Sequence, residues 1–325
     1  MHKKPAPAGF LLSGMNSDIN PPGYRGRFAP SPTGPLHFGS LVAALGSYLA
    51  ARHHQGRWLV RMEDLDRQRE VKGAADNILR TLEAFGFAWD GDIIYQSRRQ
   101  AAYEETLQRL QDLGLAYACG CSRKQIAEAA STGVEGPIYP GTCRSGLAPN
   151  QSARSIRLLT QDQVVAFNDS VQGAVRQNLE REIGDFVIRR ADGYHAYQLA
   201  VVVDDAWQEI THIVRGADLL SSTPRQCYLQ TLLQLPQPDY THLPLAVDAT
   251  GRKLSKQHRD APVDPKQPLD VLLQAFEFLG QEMPAERPLG LEDFWRWAIE
   301  RWSLARVPHQ ASKPAALSRA SLYAP

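Results

Sequence analysis

Arg27-Phe28-Ala29-Pro30-Ser31-Pro32-Thr33-Gly34-Pro35-Leu36-His37-Phe38-Gly39-Ser40 runs from a short strand, through a turn rich in proline and glycine, into the start of a helix. A helix start presents unpaired N–H groups and the positive end of the backbone dipole, so it attracts anions. The small residues Gly34, Gly39 and Ser40 let a nucleotide come close to the backbone. Beyond them Leu41, Leu45 and Leu49 recur every fourth residue, with Val42, Ala43 and Ala50 nearby, which gives a helix with one apolar face. Residues 57–63, Arg-Trp-Leu-Val-Arg-Met-Glu, read as a second strand. A strand–helix–strand unit is the building block of a parallel sheet covered by helices, so the chain is predicted to be α/β.

A second segment far downstream, Lys253-Leu254-Ser255-Lys256-Gln257, puts two lysines and a hydroxyl into a short loop suited to a polyphosphate. Either segment alone says little. In this order they describe two ends of a phosphate-handling site.

Between them the texture changes twice. Helices are expected over residues 74–85, stopped by Gly86, and 99–113, stopped by Gly114, with a turn at Trp89-Asp90-Gly91-Asp92. Residues 116–182 mix cysteines, Gly/Pro turns and short alternating strands such as Ser155-Ile156-Arg157-Leu158, and read as an insertion with its own fold. Helix–strand texture resumes over 185–214. Two further helical stretches are expected near 269–279 and 291–302. The expected organisation is a flexible leader (1–23, with Met15 as a second candidate start), the first half of a catalytic domain (24–115), the insertion (116–182), the second half (183–241), a small helical domain carrying the lysine loop (242–307), and a polar, loosely ordered tail (308–325).

The 325 residues carry 36 basic and 35 acidic side chains, a formal net charge of +1. That excludes a histone-like polycation and leaves room for a nucleic-acid enzyme acting through local patches. Arg98-Arg99, Arg189-Arg190 and Arg252-Lys253 with Lys256, His258 and Arg259 are such clusters, though each alone also reads as a solvated face. No apolar run approaches the ~20 residues of a membrane span. The leader's apolar stretch is too short for a signal peptide, so the cytoplasm is expected. With 4 cysteines there is no secreted disulfide framework. No apolar surface repeat stands out, which favours a monomer.

Cys119-Gly120-Cys121, followed by Tyr139 and Cys143, resembles part of a structural zinc site. Ordinary buried thiols are the other reading. No histidine lies between Cys121 and Cys143. Tyr139 is the best-placed oxygen donor, but a phenol with a pKa near ~10 must lose its proton to serve. Cys227 stands apart and reads as an unpaired core residue.

Five ordered motifs together resemble the catalytic core of the glutamyl-tRNA synthetases, which are class I aminoacyl-tRNA synthetases. They are Arg27 to Leu41; Arg61-Met62-Glu63-Asp64-Leu65-Asp66; Tyr197-Gln198-Leu199-Ala200-Val201-Val202-Val203-Asp204-Asp205; Val214-Arg215-Gly216-Ala217-Asp218-Leu219; and Lys253-Leu254-Ser255-Lys256. The likeness spans about residues 26–257. It implies a Rossmann-like parallel-sheet catalytic domain with a zinc-containing insertion and a small C-terminal helical domain. Only a short helical segment follows Lys256, where a full glutamyl-tRNA synthetase carries a large anticodon-binding region. With His37-Phe38-Gly39-Ser40, the cysteine cluster and Lys253 to Gln257, the chain is similar to the shortened glutamyl-Q tRNA(Asp) family. That family activates glutamate without tRNA and attaches it to queuosine, the modified wobble base of tRNA(Asp).

The resemblance assigns roles. Arg27, Phe28, Ala29, Pro30 and Ser31 line the glutamate pocket, with Arg27 offering a fork to a carboxylate. Glu63 holds the substrate's ammonium group, Tyr197 hydrogen-bonds the substrate, and Arg215 reads its side-chain carboxylate. His37, Gly39, Ser40 and Lys256 bind ATP; His37, Lys253 and Lys256 form the catalytic set. Zn2+ sits on Cys119, Cys121, Tyr139 and Cys143, and Mg2+ arrives with ATP. Asp64, Asp66, Asp204 and Asp205 read as caps and salt bridges, and Asp218 as local structure. Two departures stand out: Ser40 replaces the second histidine of a His-x-Gly-His signature, and Leu254 and Gln257 replace the usual Met and Ser around the lysines. The rivals are a shortened glutamyl-tRNA synthetase charging a tRNA 3′ end, a class I-like nucleotidyltransferase, and a non-catalytic RNA-binding relative.

Overall fold

Strand β1 (Arg25–Phe28) leads through the Pro/Gly turn into helix α1 (Phe38–His53) and then into β2 (Arg57–Met62). The computed structural model describes residues 23–133, 135–248, 250–254 and 262–315. β1 and β2 are parallel, with Arg27 opposite Leu59 and Phe28 opposite Val60. After α2 (Ala74–Ala84), β3 (Ile94–Tyr95) joins the outer side of β2, again parallel. This is the unit expected from the leucine spacing: Leu41, Leu45 and Leu49 are all fully buried.

The chain continues with α3 (Gln100–Asp112), β4 (Ala116–Cys119), α4 (Arg123–Ala129), β5 (Thr132–Gly133), β6 (Gly136–Pro137) and β7 (Ser155–Leu158). A hairpin of β8 (Val164–Asp169) and β9 (Gly173–Asn178) follows, then α5 (Leu179–Glu182), β10 (Phe186–Arg189) and α6 (Tyr197–Trp207). β11 (His212–Gly216), α7 (Thr223–Leu233) and β12 (Asp239–Leu243) complete a second parallel pair, with Arg215 opposite His242. β13 (Leu245–Val247), α8 (Pro268–Phe278), α9 (Leu291–Arg301) and β14 (Ser312–Pro314) end the described chain.

The two parallel sets meet side by side. The Thr211 N–H donates to the Arg25 carbonyl (3.0 Å), and the Arg25 N–H donates to Thr211 Oγ1 (2.8 Å). Helix α1 packs over both sets. It comes close enough to β12 that a Cβ on Gly46 would sit 2.5 Å from Leu243 Cδ1, which is why a glycine stands in mid-helix despite its cost there. Ligands in open parallel sheets bind beyond the carboxyl ends of the strands, where two sets abut. Here that is the region beyond Phe28, Met62 and Gly216.

The stretch read as an insertion is hydrogen-bonded into its neighbours on two sides. β7 pairs antiparallel with both β4 and β10, and β8 meets β12 at Asp169 and Tyr240. Helices α8 and α9 return to α1 and share its core: Phe38 packs edge-on against Phe278 (5.8 Å) and Tyr48 against Trp295 (4.8 Å). Part of the tail expected to be loose is a strand. β14 pairs in parallel with β13, and the Ala315 N–H donates to the Val247 carbonyl (2.9 Å). That order comes from backbone pairing, which a polar side-chain pattern does not announce. No helix among the described residues is long and apolar enough to cross a membrane.

Candidate active site

Beyond the ends of β1, β2 and β11 lies a cavity of about 270 Å3. Its lining includes Arg27 through Ser31, His37, Gly39, Ser40, Glu63, Tyr197, Arg215 and Lys253, drawn from all five motifs. Lys256 lies outside the described residues.

One wall is an ion cluster. Asp205, on α6, accepts from Arg27 Nε (3.1 Å) and Nη2 (3.3 Å) and from Arg61 Nη1 (2.8 Å). Burial alone would raise the Asp205 carboxyl; Arg27 and Arg61 outweigh it and hold the group below its ordinary range. Two of the five Arg27 N–H groups are thus committed to Asp205, which leaves the pair on Nη1 and the second on Nη2. Arg61, fully buried, also donates to Gln208 Oε1 (2.6 Å) and reaches Glu63 Oε1 (3.4 Å). Breaking such a buried set by deleting one partner costs about 3–5 kcal/mol, so these side chains fix the positions of β1, β2 and α6. Asp204 next door accepts from Arg99 Nε, the Tyr103 hydroxyl and Gln96 Nε2. Asp64 caps Ser97, and Asp66 pairs with Arg69 and Arg190.

Glu63 is set by the end of β2, its N–H donating to the Pro30 carbonyl (3.0 Å). Burial pushes its carboxyl above the usual carboxylate range, against the pull of Arg61 and Arg27. A cation brought beside it would restore the charged form.

Across the cavity Arg215 is buried, yet among the described residues no carboxylate touches its guanidinium. Nε donates to His242 Nε2 (3.0 Å), Nη1 to the Tyr197 hydroxyl (3.2 Å), and Nη2 to Thr223 Oγ1 and Gln226 Oε1 (both 2.8 Å). A guanidinium carries five N–H groups. Four are satisfied by neutral acceptors, and the fifth is on Nη1, on the Tyr197 side. The charge is therefore held rigidly and, among the described residues, left without an adjoining anion.

At the other end His37 precedes α1 and caps it, its Nδ1 accepting from the Ser40 N–H (3.2 Å) while Nε2 lies 2.8 Å from Ser40 Oγ. The first turn of α1 has no acidic residue, so the helix start stays positive. Lys253 pairs with Asp218 and is fixed by an isolated bridge to Val247 and by the Leu254 N–H on the Ala246 carbonyl (2.9 Å).

The cysteine cluster is separate from the cavity. The Sγ atoms of Cys119, Cys121 and Cys143 all lie within 4.8 Å of one another, and those of Cys121 and Cys143 are 3.5 Å apart. The Tyr139 hydroxyl is 3.4 Å from Cys119 Sγ and 3.7 Å from Cys121 Sγ. Tetrahedral zinc at about 2.3 Å from sulfur separates its donors by roughly 3.5–3.8 Å, so this group can hold a metal ion. Arg157 lies 3.8 Å from the Tyr139 ring centre and donates to Cys119 Sγ (3.3 Å). Burial works against the Cys119 thiolate, but Tyr139 and Arg157 outweigh it and bring the thiol to about 7. Cys227 is a buried thiol, pushed by burial up to about 11.

His242, Asp169, Thr223 and Gln226 escaped the sequence reading. His242, Thr223 and Gln226 reach Arg215 from β12 and α7, Asp169 on β8 holds His242 from behind, and no local motif links these segments.

The family model for the catalytic domain of class I tRNA synthetases (E and Q) matches residues 24–271. The chain is 56% identical over 291 residues to the glutamyl-Q tRNA(Asp) synthetase of Dechloromonas aromatica, covering 89% of this chain and 97% of that one. It is 54% identical over 285 residues to the enzyme of that name from Chromobacterium violaceum, covering 88% and 95%. In fold it is similar to a glutamate tRNA ligase from Elizabethkingia meningosepticum, with a TM-score of 0.74 at 24% identity over 90% of this chain and 67% of that one. The motifs, the parallel sheet with its cavity and these likenesses agree, and the chain belongs to the glutamyl-Q tRNA(Asp) synthetases, within the class I tRNA synthetases for E and Q.

Proposed function

We propose that this chain activates L-glutamate with ATP and transfers the glutamyl group to queuosine at the wobble position of tRNA(Asp), working in the cytoplasm where that tRNA resides. The observation that carries the glutamate part is the buried Arg215 guanidinium, which lines the cavity with no carboxylate beside it among the described residues. The acceptor is supported by the names of the relatives that are 56% and 54% identical.

In this reading the α-ammonium of glutamate rests on Glu63, and its side-chain carboxylate meets Arg215 Nη1 and the Tyr197 hydroxyl. ATP lies along the start of α1, with His37, Gly39, Ser40 and Lys253 at its phosphates and Lys256 assigned to ATP by the motif alone; Mg2+ comes as part of that substrate. The glutamate α-carboxylate attacks the α-phosphorus, pyrophosphate leaves, and glutamyl-adenylate forms. Position and fixed positive charge do the work, and no side chain of the chain becomes covalently bound. A hydroxyl of queuosine then attacks the activated carbonyl, an ester forms and AMP leaves. A second cavity of about 410 Å3 shares Glu63 and Tyr197 with the first and offers the acceptor a route to that carbonyl. Glutamine is rejected because its amide leaves the Arg215 charge uncompensated in a buried site.

Cys119, Cys121, Cys143 and Tyr139 hold one structural zinc ion in this reading, which pins the end of β4 to the turn at residues 139–143. The donor spacing supports it, as does Arg157, whose charge offsets part of the excess negative charge of three thiolates and a phenolate.

The test of function is transfer of labelled glutamate to purified tRNA(Asp) with and without queuosine. Label only on the queuosine-containing form is expected; equal labelling of both forms, or labelling of tRNA(Glu), would overturn the acceptor assignment. Because burial raises the Glu63 pKa and the ammonium needs the carboxylate, glutamate affinity is full above the shifted value and falls as the pH drops through it. KM for glutamate should then rise by about tenfold per pH unit while KM for ATP does not follow it, a dependence that Glu63→Gln should abolish. Metal analysis should find about one zinc ion per chain in protein purified without chelator, and a clear loss in Cys121→Ser. Full zinc in that variant, or a metal-free wild type, would refute the site.

A further inference from the structure

The guanidinium of Arg215 is held from behind by a chain of two buried residues. Asp169, at the end of β8, accepts through Oδ1 from the backbone N–H groups of Val171 (3.0 Å), Gln172 (2.8 Å) and His242 (3.1 Å). Its other oxygen lies 2.6 Å from His242 Nδ1. Asp169 is 2% exposed and His242 is fully buried. A carboxylate there accepts only, so the His242 proton sits on Nδ1. Nε2 then carries a lone pair, and that lone pair receives Arg215 Nε–H (3.0 Å). Burial keeps the imidazole neutral, against the pull of Asp169.

This arrangement separates two tasks that one aspartate beside Arg215 would confound. A carboxylate in direct contact would orient the guanidinium but neutralise it. An imidazole between them orients it equally well and moves the counter-charge one residue away from the cavity. We infer that Asp169 and His242 are positioning residues that set the preference of the cavity for a carboxylate over a carboxamide, by holding Arg215 rigid, charged and, among the described residues, without a direct counter-ion. The inference rests on the reading of the cavity as a glutamate site. Nε2 of His242 touches Arg215 and Thr223, both on the amino-acid side of the cavity, so the two residues govern amino-acid affinity and selectivity and leave the phosphate end alone.

Asp169→Asn keeps the oxygen that the three backbone N–H groups use and presents an amide N–H to His242 Nδ1. The imidazole must then move its proton to Nε2, where it faces Arg215 Nε–H, donor against donor, with Thr223 Oγ1 (3.2 Å) as the acceptor left to it. Exchanging the aspartate behind a histidine for asparagine is known to force this tautomer. Imidazole 15N NMR on the full chain reads the tautomer directly. The wild type should show His242 protonated on Nδ1 and Asp169→Asn on Nε2.

In glutamate-dependent ATP–pyrophosphate exchange, Asp169→Asn should raise KM for glutamate by about tenfold or more and shrink the glutamate-over-glutamine preference by a similar factor, with KM for ATP unchanged. His242→Gln, whose amide can donate to Asp169 and accept from Arg215, should recover the preference to within about threefold, and His242→Leu should not. Asp169→Asn with the wild-type preference would overturn the inference. So would a loss shared equally by KM for glutamate, KM for ATP and melting temperature, which marks a merely structural role. A wild type that activates no glutamate would sink the glutamate reading itself; the tautomer still decides the relay, and a proton on Nε2 in the wild type overturns it.

Discussion

Asp205 binds two guanidiniums at once, Arg27 from β1 and Arg61 from β2, and much of the site follows from that shared anion. The strands run parallel, so their carboxyl ends face the same way, and the aspartate on α6 holds them at that end. Bringing these charges out of water is expensive, and only their mutual pairing makes the burial tolerable. The geometry that pairing imposes is what sets Glu63 beside Pro30 and puts Arg27 through Ser31 on the cavity wall.

The cavity then has two walls of opposite design. On the Arg27 and Arg61 side, cations are matched by Asp205 and Glu63, and the balance leaves a carboxyl whose pKa burial has raised. On the Arg215 side, a cation is surrounded by neutral acceptors: a histidine, a threonine, a glutamine and a tyrosine. One wall is short of a cation and the other of an anion. A zwitterion with a second carboxylate, fitted between them, relieves both shortages, which is the physical basis of the glutamate selectivity we propose.

The parts of this account legible in the sequence are those carried by local pattern. The Leu41–Leu45–Leu49 spacing announced α1, and each of the ordered motifs contributes at least one residue to the cavity lining. Arg215 was legible as a candidate, but its surroundings were not. Asp169 and His242 are 73 residues apart, and they meet because β8 joins the edge of β12. A strand pairing of that kind leaves no trace in periodicity. The same reason hid β14: Ser312-Lys313-Pro314 looks like tail, and only its partner Leu245–Val247 makes it a strand. Arg27 shows the converse limit. Its residue type suits a substrate carboxylate, yet two of its nitrogens serve Asp205, and residue type alone cannot say which partner a fork will find.

The central claim, that an uncompensated buried guanidinium makes this an enzyme for glutamate, is tested most directly by ATP–pyrophosphate exchange on the wild-type chain without tRNA, with glutamate and glutamine compared side by side. The account predicts exchange with glutamate and a kcat/KM for glutamine lower by at least about 10²-fold. Comparable exchange with the two amino acids, or none with glutamate, would contradict it.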